Sequence, residues 1–509
     1  MIDLILKKPQ SLKNDLLSGI TVALALVPEA IAFSFVAYVD PTVGLYAAFM
    51  MGLITAIFGG RPGMISGATG AVAVIFAPLV IQQTALHGAA VALQYLFLAV
   101  IVMGIIQLIF GLLKWGKFIR LVPHPVMLGF VNGLAIIIFK AQFSQFYVGS
   151  GDARQLLEWV PLLVMGGLIV VTMVICHFLP KLTKVVPATL VAILTVTGLS
   201  FLLKSFGFEI HTVLDFIRTM DPTKTTIAAS LPSFQLPMIS FEALKIVFPY
   251  AFLAAFVGLI ESLMTLVLID ELTDTKGSGN QESMAQGLAN LVNGFFGGMG
   301  GCAMIGQSMI NIRAGGRSRV SGIAAALSLL VCFLFGAPFI EAIPLAALVG
   351  VMFMVSIATF EWSSFRIMND IPKSDAFIIV LVSAITVIVD LAVAVFLGVI
   401  VAALVFAWEQ GKVIRYEKSQ HQDGNDSYVL HGNIFFGSAQ TFKELFDISQ
   451  DSALVYIDFK EAKVVDHSAI EAVQNITARY KEQNKEVLLV NLSTSCSRMY
   501  SKEIGRAHV

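Results

Sequence analysis

Glu261 stands in an otherwise apolar run, Gly258-Leu259-Ile260-Glu261-Ser262-Leu263-Met264-Thr265. A carboxyl group inside such a segment is costly and by default functional. Thr265 follows four residues later, so on a helix its hydroxyl shares the face of Glu261. A carboxylate beside a hydroxyl offers oxygen ligands to Na⁺ or, alternatively, a place for a proton. Two other segments offer the opposite chemistry: Ser66-Gly67-Ala68-Thr69-Gly70 and Cys302-Ala303-Met304-Ile305 each open an apolar stretch. A helix beginning there presents unpaired backbone N–H groups and about half a positive charge, a ready seat for a small anion. Ser66 and Thr69 add hydroxyl donors, and the glycines let an anion approach the backbone. Charge this weak and dispersed suits an anion that must also leave. Close packing of small residues between helices would call for the same residue types. Glu29 follows Pro28, where a proline kink frees backbone groups, and is expected to line the same cavity.

A bilayer is the medium that must hold these residues in place. The chain is 57% hydrophobic and 13% charged, where soluble domains carry about 25% charge. Fourteen apolar runs of roughly spanning length follow one another between Leu16 and Ala407, several of them short for the about 20 residues a helix needs to cross. Lysine and arginine gather on one side, with Lys7, Lys8, Lys13, Lys114, Arg313, Arg317, Arg319 and Lys373 among them. Arg154, Lys204, Arg218, Lys224 and Lys245 fall on the other side. That bias puts both termini in the cytoplasm of a multi-pass protein, expected in a bacterial inner (plasma) membrane. Lys140, near the outer end of the fifth run, reads as a snorkelling side chain, and Asp390 as a cap between the last two runs. Residues 1–410 read as the transmembrane part, 411–427 as a polar linker and 428–509 as a small domain of ordinary charge density. A net charge of -1 argues against nucleic acid as a partner. Cys176, Cys302, Cys332 and Cys496 form no CxxC pair, and no nucleophile–base pair or metal cluster is visible, so neither an enzyme nor a cofactor is expected.

An internal repeat organises the runs. Phe58-Gly59-Gly60-Arg61-Pro62-Gly63-Met64-Ile65-Ser66 resembles Phe296-Gly297-Gly298-Met299-Gly300-Gly301-Cys302-Ala303-Met304, with Phe296 lying 238 residues after Phe58. The segments open the third and tenth runs, an odd shift, so the two halves are expected to be inverted relative to one another. Inverted halves with short, glycine-interrupted segments at matching positions are the mark of a secondary transporter. Two interrupted helices would then aim their N-termini at each other across one cavity.

Val27-Pro28-Glu29-Ala30-Ile31-Ala32, Gly67-Ala68-Thr69-Gly70, Asn280-Gln281-Glu282 and Gly297-Gly298-Met299-Gly300-Gly301 together resemble the SulP (sulfate permease) anion transporters, in particular their BicA-like bacterial members. The resemblance implies a seven-plus-seven inverted repeat divided into core (gate) and scaffold parts, a cytoplasmic STAS domain and a homodimer. It places the substrate site on Ser66, Gly67, Ala68, Thr69, Ala303, Met304 and Ile305, and the coupling-cation site on Glu261 and Thr265. Ile305 stands where BicA-like members carry threonine, and Gln307, a cavity-lining position, where some animal members carry arginine. The tail fits: strands are expected over 428–436, 454–459 and 487–490, with helices over 441–446 and after Asp466, a plausible N-cap. Ser468 approximates the phosphorylated serine of soluble STAS relatives. The function expected is import of a small oxyanion, bicarbonate before sulfate, coupled to Na⁺ or H⁺ by alternating access. A proton-coupled dicarboxylate or sulfate carrier, or an anion sensor signalling through STAS, are the alternatives.

Overall fold

The computed structural model describes residues 9–116, 123–148, 155–183, 187–220, 226–227, 230–389, 391–411, 414–421 and 423–492. Lys7, Lys8, Arg154, Lys224, Asp390 and Cys496, discussed above, lie outside them. The chain forms two compact units, one through Phe396 and one from Leu397.

The first unit is helical. It begins with α1 (Pro9–Val36), α2 (Pro41–Phe58), the two-residue strand β1 (Ser66–Gly67), α3 (Gly70–His87) and α4 (Ala89–Leu112). Then come α5 (His124–Ala141), a 3₁₀ turn (Gln142–Phe146), the small hairpin β2 (Tyr147–Val148) and β3 (Gln155–Leu156), α6 (Trp159–Leu182), α7 (Ala188–Ser205) and the short α8 (Val213–Met220). The second half repeats the order: α9 (Phe241–Thr273), α10 (Gly279–Phe295), β4 (Cys302–Ala303), α11 (Ile305–Arg313), α12 (Arg319–Glu341), α13 (Leu345–Thr359), α14 (Ser363–Ile367) and α15 (Lys373–Ile388), with α16 (Leu391–Gly411) crossing the division between the units. Helix, helix, two-residue strand, helix thus occurs twice. The starts are set by side chains: Asp40 accepts the Thr42 amide at 2.9 Å before Pro41 opens α2, and Ser240 accepts Ala243 at 3.0 Å at the head of α9.

Ten helices among the described residues are long and apolar enough to cross a membrane. The count of fourteen is not reached. The other four expected runs fall on α10, α11, α15 and α16, of which α10, α11 and α15 have 17, 9 and 16 residues. The tenth run shortens because its first residues become β4 rather than helix. Two packing groups emerge within the unit. In one, α1 and α2 pack on α12, while α4 packs on α3, α9 and α10; in the other, α5 packs on α13 and α15, and α6 on α7 and α13. The halves of the repeat therefore contribute helices to both groups.

The second unit carries a four-stranded sheet ordered β5 (Arg415–Gln420), β6 (Asp426–Ile434), β7 (Leu454–Val464), β8 (Glu486–Val490), with α17 (Ala439–Lys443) and α18 (His467–Glu482). β5 runs antiparallel to β6, and β6, β7 and β8 are parallel. The stretch 411–427, expected to be a linker, instead contains β5 and the first two residues of β6. An edge strand whose six residues all face solvent is polar for the same reason a linker is, so composition does not separate the two. Asp466 does cap α18, accepting the Ala469 amide at 2.9 Å.

A buried carboxylate holds this sheet together. Asp451, whose side chain has no exposed surface, accepts from Lys418 at 2.6 Å, from the Tyr428 hydroxyl at 2.7 Å and from the Tyr480 hydroxyl. Tyr428 comes from β6 and Tyr480 from α18, so one carboxylate ties strand to helix. Burial, and then the Asp451 carboxylate, push the Tyr428 phenol up to about 12. The bond to Asp451 raises Lys418 above its usual value.

Candidate functional site

The two halves of the repeat meet at their short strands. β1 pairs antiparallel with β4, Ser66 opposite Ala303 and Gly67 opposite Cys302. At the Ser66–Ala303 end the ladder is extended: the Met304 amide donates to the Ile65 carbonyl at 2.9 Å, and the Ile65 amide to the Ser308 hydroxyl at 2.9 Å. Each strand leads directly into a helix, α3 at Gly70 and α11 at Ile305. The N-cap residues, Thr69 and Met304, make no side-chain capping bond. Two helix N-termini with uncapped amides therefore sit at one junction, as the repeat leads one to expect.

Glycine makes the junction possible. Gly300 takes φ +77°, a backbone conformation that side chains disfavour. A Cβ on Gly301 would press on the Gly67 carbonyl group, with the carbonyl carbon at 2.8 Å and the Ala68 Cα at 3.2 Å.

Polar side chains tie the acidic residue to the junction. The Cys302 thiol donates to Glu261 Oε2 at 2.9 Å and lies 3.2 Å from the Thr69 hydroxyl. One thiol thus bridges the candidate coupling residue and the candidate anion loop. The adjacent Ser262 hydroxyl accepts the Ala303 amide at 3.1 Å. Thr265 does not hydrogen-bond the carboxylate. Its hydroxyl donates to the Glu261 backbone carbonyl at 2.8 Å, the usual i−4 bond of a helical threonine. Its oxygen keeps lone pairs, so Glu261 and Thr265 still present hard oxygen donors of the kind Na⁺ accepts. Glu29 and Gln307 meet, the Gln307 amide donating to Glu29 Oε2. Both are buried, so α1 and α11 are joined beside the junction. Ser66, Ala68, Thr69, Ala303 and Met304 are buried, and Ile305 is half-buried as the first residue of α11. No group of three or more His, Cys, Asp or Glu side chains that could hold a metal ion occurs among the described residues.

Composition did not single out the polar face of α10. Glu282, Gln286 and Asn290 recur every four residues and are nearly or fully excluded from solvent. Glu282 accepts the Gly60 amide at 2.8 Å, Gln286 donates to Glu282 and to the Ser66 hydroxyl at 2.8 Å each, and Asn290 clamps Gly301 through both its amide N–H and its carbonyl. Asn290 also donates to Gln107 of α4 at 2.9 Å. α10 therefore holds β1 through Ser66 and β4 through Gly301. The signal was present as three polar side chains at i, i+4 and i+8 in an otherwise small and apolar run.

Residues 12–382 match the sulfate permease family and residues 418–502 the STAS domain. The chain is similar to the putative sulfate transporter YbaR of Bacillus subtilis (strain 168), 44% identical over 487 residues, covering 95% of each chain. It is also similar to the bicarbonate transporter BicA of Synechocystis, 30% identical over 97% of this chain and 90% of that one. Among solved structures, the transmembrane domain of a cyanobacterial BicA matches at TM-score 0.66 and 30% identity, covering 76% of this chain and 98% of that chain. Murine Slc26a9, an anion transporter solved in the inward-facing state, shares the fold at TM-score 0.80 and 17% identity, over 97% of this chain and 88% of that one.

Proposed function

The chain belongs to the sulfate permease family of anion transporters, with a C-terminal STAS domain, and from that premise we propose that it imports a small oxyanion, bicarbonate first and sulfate second, by secondary active transport coupled to Na⁺ or H⁺. The observation that carries the reading is the β1–β4 pairing, which brings the N-termini of α3 and α11 to one point. An oxyanion held there accepts backbone N–H groups from both helices and the hydroxyls of Ser66 and Thr69, with Ala68, Ala303, Met304 and Ile305 shaping the seat. No full positive charge is required, so release stays fast. Glu261, bonded to Cys302 of the same strand pair, places a cation or a proton next to the anion, and each then favours the presence of the other. The helices that carry the junction (α1, α3, α9 and α11) would move as a body against the second packing group, exposing the seat to one side of the membrane and then the other.

Glu261→Gln tests the coupling. The amide keeps the size and the hydrogen-bonding oxygen of the side chain and removes its ionisation. Uptake into proteoliposomes should lose its dependence on an imposed Na⁺ or H⁺ gradient, the driven component falling about 10²-fold, the lower end of what placed acid–base groups contribute. Undiminished uptake with the same cation dependence would remove Glu261 from the mechanism.

A further inference from the structure

A cleft of about 510 Å³ opens where the C-terminal end of α1 meets the C-terminal end of α5 and its 3₁₀ turn. Its walls come from both packing groups: Phe35 and Tyr38 from the first, Ile137, Lys140 and Gln145 from the second. This is the seam that must open if one group is to move against the other. Lys140 is exposed and carries the only formal charge among the described residues that line the cleft. Among the described residues no ion pair engages it, and none of those lining the cleft is acidic. A lysine that merely snorkels along apolar surface reaches open water. This one stands over a concave surface whose other described lining residues are uncharged.

The two helices that wall the cleft also touch the first residue of α3. Gly70, the first residue of α3, lies against Phe33 and Ile138, to each of which a Cβ would approach within 2.8 Å. Phe33 is two residues from Phe35 on α1, and Ile138 is next to Ile137 on α5, so the cleft and the N-terminus of α3 share a wall built from the same two helices. On another side Phe216 of α8 packs against Phe35 with ring centroids 4.2 Å apart and the planes tilted by 51°. An unpaired positive charge over a concave surface raises the local concentration of anions.

We propose that this cleft is a second anion site, in which Lys140 docks a small oxyanion on its way to or from the β1–β4 junction. The inference deepens the transport reading and rests on it for the direction of travel. It assigns Lys140 to substrate capture rather than to the transported seat, so the residue should act on affinity and not on turnover.

The test measures uptake of labelled sulfate and bicarbonate against anion concentration, at low and at high ionic strength, for the native protein, Lys140→Gln and Lys140→Arg in proteoliposomes. At low ionic strength Lys140→Gln should need about fivefold more anion for half-maximal uptake at an unchanged maximal rate, as expected for one lost charge at contact distance in a wet site. The gap should close at high salt, where exposed charges are screened, and Lys140→Arg should follow the native protein. Lys140→Cys should regain affinity after reaction with a cationic thiol reagent and not with an anionic one, relative to the native protein treated alike. Superimposable curves for Lys140→Gln and the native protein at low salt would overturn the proposal while leaving the transport reading intact. Should the native protein take up neither anion, the transport reading fails. Calorimetric titration of the same proteins with sulfate then decides the docking site alone, weaker binding by Lys140→Gln upholding it and equal binding overturning it.

Discussion

Gly301→Ala should abolish transport. Gly301 approaches Gly67 so closely that an added Cβ meets backbone on the opposite strand, at 2.8 Å from the Gly67 carbonyl carbon and 3.2 Å from the Ala68 Cα. Backbone cannot swing aside as a side chain would, so β1 and β4 must part. Overpacking of this kind costs about 1–3 kcal/mol, which a large membrane protein can survive. The functional cost is greater, because a displacement of about 1 Å in a positioned site can lower a rate 10²-fold. Asn290, which clamps the Gly301 amide and carbonyl, would also lose its alignment. Initial uptake rates at saturating anion, with solubilised protein checked for an intact gel-filtration profile, measure this. Uptake within a factor of two of the native rate would mean that the β1–β4 contact is dispensable.

Asp451→Ala should unfold the STAS domain locally. The substitution leaves the hydroxyls of Tyr428 and Tyr480, both at most 1% exposed, without their acceptor. Each orphaned buried donor costs about 1–3 kcal/mol. Lys418 matters less, since it is 37% exposed and keeps Asp426 at 3.5 Å. A loss of about 3 kcal/mol is the expected sum for the two phenols, a large share of a small domain's stability. The knot also sets an alkaline limit. With the Tyr428 phenol pushed up to about 12, its contribution is fully present below pH ~10, the unfolded value, and is lost as pH rises through 12. Hydrogen exchange of α18 in the full-length protein reads both effects. Protection of α18 unchanged by Asp451→Ala would show that Tyr428 and Tyr480 find other partners.

The parts of the fold that lay open in the sequence are those written in long apolar runs and in glycine. The matching segments at Phe58 and Phe296 led to the junction because two short strands between helices need small residues on both sides of a close approach. Glu261 stood out because a carboxyl is rare in such surroundings, and it does reach Cys302 of β4. What stayed hidden depends on contacts between residues far apart in sequence. Cys302, read as one small residue in a helix start, is the bridge between Thr69 and Glu261, and no spacing rule announces a bridge of 233 residues on one side and 41 on the other. The face of α10 formed by Glu282, Gln286 and Asn290 was legible as a period of four, yet only the fold tells which strands it grips. β5 passed for a linker because an exposed edge strand and a solvated loop draw on the same polar residues. Thr265 shows the opposite limit: it lies one turn from Glu261 as its spacing requires, but a helical hydroxyl has the carbonyl four residues back within reach and takes that of Glu261 rather than the carboxylate.

The most direct test of the account is uptake of labelled bicarbonate and sulfate by proteoliposomes carrying the native protein, under an inward Na⁺ gradient, an inward H⁺ gradient or neither. The expected result is accumulation above protein-free liposomes, bicarbonate ahead of sulfate, with one of the two cation gradients driving it. Binding of either anion without flux under any gradient would contradict transport, and would leave a membrane protein that senses its anion and reports it through the STAS domain.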